Sequence, residues 1–260
     1  MSSTPHRANT PGQCPEAEWK LPPQPPVVLQ EGSIQVWRIP LNPSAPWLES
    51  AGKILTPNET RRADRFLRAE HGRRFTVARA ALRTLLAGYL DAQPSDLRLE
   101  QGPYGKPHLA GEHAESRVQF NVSHSGELAV AAFCFDRPIG VDIEQNHPRP
   151  DMLKIAKRFF AAQEVDTLLS IESEYQQDAF YSCWTRKEAY IKARGEGLHH
   201  PLKGFQVSLA PEDPPALLHA DGQPLDRPWI LYDLYPGDGY TGALAAQGPS
   251  RRVSCFAFQP

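Results

Sequence analysis

The chain has 260 residues, enough for one large domain or two of about 100–130 residues. Its 28 basic and 30 acidic residues leave a net charge of −2, which excludes a bulk nucleic-acid binder. No apolar run approaches the ~20 residues of a membrane span, and no apolar core follows a basic start, so neither a span nor a secretory signal is expected.

Residues 1–29 are rich in Pro, Ser, Thr and Gln, with P-P-Q-P-P at Pro22–Pro26, and read as a flexible tail. Structure is expected from Ser33, where I-Q-V-W-R-I alternates like a half-buried strand. Pro40–Pro46 is a turn-rich connection. Thr56-Pro57-Asn58-Glu59 is a helix start, with proline at the first helical position. It opens an arginine-rich segment: Arg61–Arg83 holds eight arginines against two acids. Gly72 is expected to divide it into two helices, the second with Phe75, Ala78, Leu82 and Leu86 on its apolar face. Such a run suits a solvated helix face, and it equally suits phosphate, whose geometry the guanidinium fork matches.

Gln101–Pro107 is a turn with two glycines and a lysine, without the spacing of a P-loop. Val118–Ser125 and Leu128–Phe135 read as a hairpin broken by Ser-His-Ser-Gly. Ile139–Glu144 is a strand whose period-2 geometry sends Asp142 and Glu144 to one face and Val141 and Ile143 into a core. Adjacent carboxylates repel unless a cation lies between them. With oxygen donors and no nearby cysteine, a hard ion such as Mg²⁺ is favoured over the softer metals. Asp-x-Glu by itself also fits an acidic strand end in solvent.

Leu153–Phe160 is helical, and Asp166–Tyr175 reads as a connection. Phe180–Gly197 is the most informative helix. Phe180, Trp184 and Ile191 share a face, and Gly195 and Gly197 supply the stop. Glu188 and Lys192, four apart, are neighbours on one flank. Lys187 falls inside the apolar stripe, so it must snorkel out or meet a partner beneath the helix. Short strands are expected at Phe205–Leu209, Trp229–Tyr232, Thr241–Ala246 and Val253–Phe258. An internal echo is present: Glu59 to Phe75 and Glu164 to Phe180 both span sixteen residues. Cys14, Cys134, Cys183 and Cys255 are scattered, which fits a reducing compartment and no cysteine metal site.

Taken in order, G-K-P at Gly105, F-N-V-S-H-S at Phe120, G-V-D-I-E at Gly140, F-F-x-x-x-E at Phe159 and W-T-R-K-E-A-Y-I-K at Trp184 resemble the Sfp-type 4′-phosphopantetheinyl transferases. The likeness runs from about Ser33 to the C-terminus and is nearest in appearance to the cyanobacterial members. It implies an α+β fold of two similar halves, residues 30–138 and 139–260, about a pseudo-twofold with coenzyme A in the cleft. It implies Mg²⁺-dependent transfer of phosphopantetheine to a serine of an apo acyl or peptidyl carrier protein, releasing 3′,5′-ADP. The family's metal carboxylates match Asp142, Glu144 and Glu188. Its catalytic pair matches Glu188 and Lys192. Its coenzyme A contacts match Arg62, Arg74, Gly105, Lys106, Pro107, Ser123, His124, Asp142, Lys187 and Lys192. The Pro-rich tail has no counterpart. The expected protein is a cytoplasmic monomer without nucleic-acid or membrane partners. Two competing readings are a Mg²⁺-dependent nucleotide pyrophosphatase and a non-catalytic carrier-protein-binding module.

Overall fold

The computed structural model describes residues 19–22, 28–197, 201–220 and 228–260. Within them the chain builds one unit twice. The first runs β1 (Ser33–Pro40), α1 (Ala45–Ile54), α2 (Pro57–Asp64), α3 (Ala69–Leu90), a small hairpin of β2 (Arg98–Gln101) and β3 (Pro107–Ala110), then β4 (Val118–Ser125) and β5 (Leu128–Phe135). The second runs β6 (Ile139–Gln145), α4 (Met152–Phe159), α5 (Ala162–Ser170), α6 (Gln176–Arg194), the hairpin of β7 (Phe205–Val207) and β8 (Leu217–Ala220), then β9 (Trp229–Leu234) and β10 (Tyr240–Gln247). Each sheet has its opening strand antiparallel to its last strand, giving orders β1-β5-β4 and β6-β10-β9. The fold is α+β. The final strand, β11 (Arg252–Ala257), crosses back to pair parallel with β1, so the C-terminus completes the sheet of the first unit.

The spacing echo marks a duplicated device. Glu59 is the third residue of α2, where its carboxylate accepts the Thr56 N–H at 2.9 Å in a full capping box. It also binds the buried Arg83 of α3 at 2.9 Å, and that guanidinium donates to the Pro94 and Leu97 carbonyls, each at 2.8 Å. Glu164 is the third residue of α5 and accepts the Ala161 N–H at 2.8 Å. It binds the buried Lys187 of α6 at 2.8 Å, and that ammonium donates to the Leu202 and Phe205 carbonyls at 2.9 and 2.6 Å. In both units the pair ties a short helix, a long helix and the approach to the hairpin together.

One apolar core lies under each unit's helices, and a third fills the space between the sheets. Alternation does the sorting. Ile139, Val141 and Ile143 of β6 enter the shared core with Ile34 and Val36 of β1, so Gly140, Asp142 and Glu144 face α6. Beside β6, strand β4 turns Asn121, Ser123 and Ser125 toward it. Their side chains take the place of a backbone ladder: Asn121 Oδ1 accepts the Val141 N–H at 2.9 Å, and Ser125 Oγ accepts that of Gln145 at 3.0 Å.

Several expectations change. The break in the arginine-rich segment is at residues 65–68, and Gly72 lies inside α3, where a Cβ would stand 2.6 Å from the Ala63 carbonyl oxygen. Gly72 is needed for that close approach and does not end a helix. Helix α1 was not foreseen, and α5 extends into the segment read as a connection. Residues 1–18 and 23–27 of the expected tail lie outside the described residues. Trp19–Pro22 is described, and its backbone at Lys20 bonds the Cys255 carbonyl and the Ala257 N–H at 3.2 and 2.9 Å. The Trp19 indole donates to the Tyr235 carbonyl at 2.7 Å.

Candidate active site

Strand β6 and helix α6 meet more closely than any side chain permits. A Cβ on Gly140 would lie 2.2 Å from the Ala189 carbonyl oxygen and the Ala193 nitrogen. Glycine there lets the helix backbone rest on the strand. That contact brings the Glu188–Lys192 face of α6 to the Asp142–Glu144 face of β6. Lys192 Nζ lies 2.5 Å from Asp142 Oδ1 and donates to Ser123 Oγ at 2.8 Å, while Ser123 donates to the same Asp142 oxygen at 2.9 Å. Ser125 holds Glu144 at 3.0 Å.

Negative charge is crowded here. Burial pushes the Glu144 carboxyl above its ordinary value, and the Asp142 charge adds to that. Burial first and Asp142 second do the same to Glu188, against the pull of Lys192. The second oxygen of Asp142, itself only 3% exposed, has no hydrogen-bond partner. Oxygen donors, excess negative charge and one unpartnered buried carboxylate oxygen fit a hard divalent cation such as Mg²⁺. Among the described residues no group of three or more His, Cys, Asp or Glu forms a ready-made cage for a metal. Mg²⁺ does not need a preformed protein cage, since water and phosphate oxygens fill much of its shell.

Positive charge gathers on the facing side. The His124 imidazole is held below its ordinary pKa by the desolvating protein around it, then by Lys192, Arg74, His71 and Arg62. The α2–α3 arginines therefore reach the same cleft as β4 and α6. Arg74 pairs with Glu70 at 2.5 Å, and Arg62 lies over the Phe75 ring at 5.1 Å. The Gly105-Lys106-Pro107 turn approaches from the first unit, with Gly105 in the left-handed region at φ 83°.

The structure places the Lys187 side chain away from the cleft, and it leaves the Gly105-Lys106-Pro107 turn to act through its backbone, as the resemblance implies. Lys187 is fully buried, and its three donors go to Glu164 and two carbonyls under α6, with Phe205 packed 4.2 Å from its nitrogen. Its ammonium is held beneath α6 by Glu164 and the two carbonyls, so it does not reach the cleft beside Glu188 and Lys192. The Lys106 ammonium is likewise spent, donating to the Ile139 and Ala193 carbonyls at 2.9 and 3.2 Å. Burial lowers its pKa to about 8. Its side chain clasps the turn to β6 and α6, which leaves only the turn's backbone free to meet a ligand. Ser125 and Asn121 were missed, although strand alternation puts both on the same face of β4 as Ser123. Arg186 was missed as well: it is a bidentate partner of Asp233 at 2.8 and 2.7 Å, which anchors α6 from below.

Comparison with known proteins agrees across the chain. Residues 138–245 match the family model described as the 4′-phosphopantetheinyl transferase superfamily, and residues 40–135 match that of 4′-phosphopantetheinyl transferase, N-terminal. The 4′-phosphopantetheinyl transferase HetI of Nostoc sp. is 38% identical over 240 residues, covering 92% of this chain and 95% of that protein. A putative 4′-phosphopantetheinyl transferase of Synechocystis sp. is 41% identical over 63% of this chain and 65% of its own. The 4′-phosphopantetheinyl transferase Sfp of Bacillus subtilis is 36% identical over 65% and 69% respectively.

Proposed function

Because the chain belongs to the 4′-phosphopantetheinyl transferase superfamily, we propose that it moves the 4′-phosphopantetheine of coenzyme A onto a serine hydroxyl of an apo acyl or peptidyl carrier protein, releasing 3′,5′-ADP. The observation that carries this reading at the site is the Ser123–Asp142–Lys192 cluster beside Glu144 and Glu188, with an unpartnered Asp142 oxygen at its centre. Asp142, Glu144 and Glu188 would hold Mg²⁺, which supplies polarisation of the pyrophosphate and stabilisation of the leaving 3′,5′-ADP.

The chain's own groups divide the remaining work. Glu188, whose carboxyl is more basic than usual, takes the proton that the attacking serine hydroxyl must lose. Lys192 balances charge on the phosphoryl oxygens from its seat against Asp142 and Ser123. Neutral His124, with Arg74 and Arg62, receives the remaining phosphate. The backbone of Gly105-Lys106-Pro107 forms a wall of the cleft. No helix among the described residues is long and apolar enough to cross a membrane. The free, buried thiols of Cys134 and Cys183 suit a reducing cytoplasm, and a cleft built by two units of one chain suits a monomer.

The test is mass spectrometry of an apo-carrier incubated with this protein, coenzyme A and Mg²⁺. The expected result is a carrier heavier by one phosphopantetheine per acceptor serine. Release of 3′,5′-ADP at the same rate with the carrier left out would instead make the protein a pyrophosphatase.

A further inference from the structure

The turn between α2 and α3 carries an unusual side chain. Leu67 is 101% exposed, more than any other large apolar residue among those described, and Phe66 beside it is 38% exposed. The turn is nonetheless rigidly built. Its base presses on α3 where Gly72 meets the Ala63 carbonyl, and the Phe66 N–H donates to that same carbonyl at 3.4 Å. The Phe66 ring packs on Phe75 at 5.7 Å and on His71 at 6.4 Å. A leucine fixed in water by a braced turn keeps its apolar surface exposed until a partner covers it. Around it Arg65, Arg68 and Arg73 are exposed, and no ion pair among the described residues holds them.

The location narrows the partner. The turn packs its Phe66 ring on His71 at 6.4 Å, and Arg62 just before it lies over Phe75, so it adjoins the group of cations that faces His124 at the cleft. A protein that brings a serine to Asp142 and Glu188 has to pass this rim. We infer that the Arg65–Arg68 tip docks the acceptor carrier protein, with Leu67 entering an apolar spot near the acceptor serine and Arg65, Arg68 and Arg73 meeting acidic side chains around it. This rests on the transferase reading above. A basic tip with one apolar side chain also has the chemistry of an anionic-membrane anchor, but its packing on His71, at the edge of the cleft, favours the acceptor.

The experiment uses the full chain, coenzyme A, Mg²⁺ and an excised apo acyl carrier protein. Leu67→Asp and the Arg65→Glu/Arg68→Glu pair should each raise the KM for the carrier by about 10-fold, the factor that 1.4 kcal/mol of lost contact produces. kcat, the KM for coenzyme A and the melting temperature should hold at wild-type values. The effect of the arginine pair should shrink at high salt and that of Leu67→Asp should not. An unchanged carrier KM, or an equal rise in the KM for coenzyme A, overturns the inference and leaves the transferase reading standing. Wild-type binding to phosphatidylserine vesicles that Leu67→Asp abolishes, with carrier KM unaffected, overturns it in favour of a membrane. Absence of transfer by the wild-type chain overturns the transferase reading and the docking inference together.

Discussion

At the scale of residues, the site is costly before it is useful. Glu144 and Glu188 both sit above the ordinary carboxylate value of 4.5, through burial and the neighbouring Asp142. The folded state therefore holds their protons more tightly than the unfolded chain does. The stability they contribute is fully present below pH 4.5 and is lost as pH rises through the raised values. At pH 7 the ionised pair destabilises the ligand-free protein. Glu188→Gln is expected to cut turnover by about 10²-fold or more while the ligand-free protein melts at or above the wild-type temperature. The wild-type deficit relative to the variant should close as the buffer is taken below 4.5. A Glu188→Gln protein with near-normal transfer would remove the proposed base. The groups on the facing side make a second prediction. Arg74→Ala and His124→Ala should weaken coenzyme A binding by on the order of 10- to 150-fold in calorimetry, the value of one charge-assisted hydrogen bond. Dephospho-coenzyme A, which lacks the 3′-phosphate, should be bound almost as before. Equal losses for both ligands would place these residues on the pyrophosphate instead.

At the scale of elements, α6 is fixed in rotation from two sides. Gly140 admits its backbone on one side, while Arg186 and Lys187 anchor the other. Lys187→Met leaves Glu164 as a buried, unpaired charge, so about 3–5 kcal/mol of stability should be lost, read as a shift in denaturant midpoint. The double variant Lys187→Met/Glu164→Gln should recover part of that loss. No recovery would show that Lys187 acts through its carbonyl contacts and not through Glu164. The same helix shows what was legible in the sequence. Asp142 and Glu144 two apart, and Glu188 and Lys192 four apart, declare their shared faces through the two periodicities of strand and helix. Period alone also put Lys187 in the apolar stripe, but its partner lies on another helix, and only the repeated spacing of Glu59 and Glu164 hinted at it. Gly72 was misread because a glycine needed for a close backbone approach looks, in sequence, the same as one that ends a helix. Helix α1 buries only Ala51 and starts in a proline-rich stretch, so neither its pattern nor its flanks announced it.

At the scale of the whole molecule, the two units are not independent. β11 comes at the end of the second unit but pairs with β1 from Ser33↔Arg252 to Arg38↔Ala257. Local pattern could identify it as a strand. Its parallel partner, at the far end of the chain, left no local trace. Phe256 packs its ring 5.0 Å from Trp37, and Phe258 is buried in the first unit's core beside Trp47. Lys20 in turn pairs with the free edge of β11, and Trp19 stacks under Arg38 at 5.4 Å. Removing Arg252–Pro260 should therefore unfold β1 and the helices above it, although the metal-side residues all lie in the part retained. Hydrogen exchange should show the β1 amides losing protection, and coenzyme A binding should fail with them. Among the described residues, removing residues 1–22 takes away the Trp19 and Lys20 contacts. A loss of about 1 kcal/mol there corresponds to roughly 2–4 °C in melting temperature for a chain of this size, with turnover unchanged at 25 °C. Removing residues 1–18 alone leaves both contacts in place, and the Pro-rich, core-poor composition of that stretch predicts an unchanged melting temperature. If the two N-terminal deletions melt alike, Trp19 and Lys20 contribute nothing to the sheet edge. If the C-terminal deletion keeps β1 protected, the units fold separately and β11 is dispensable to the first.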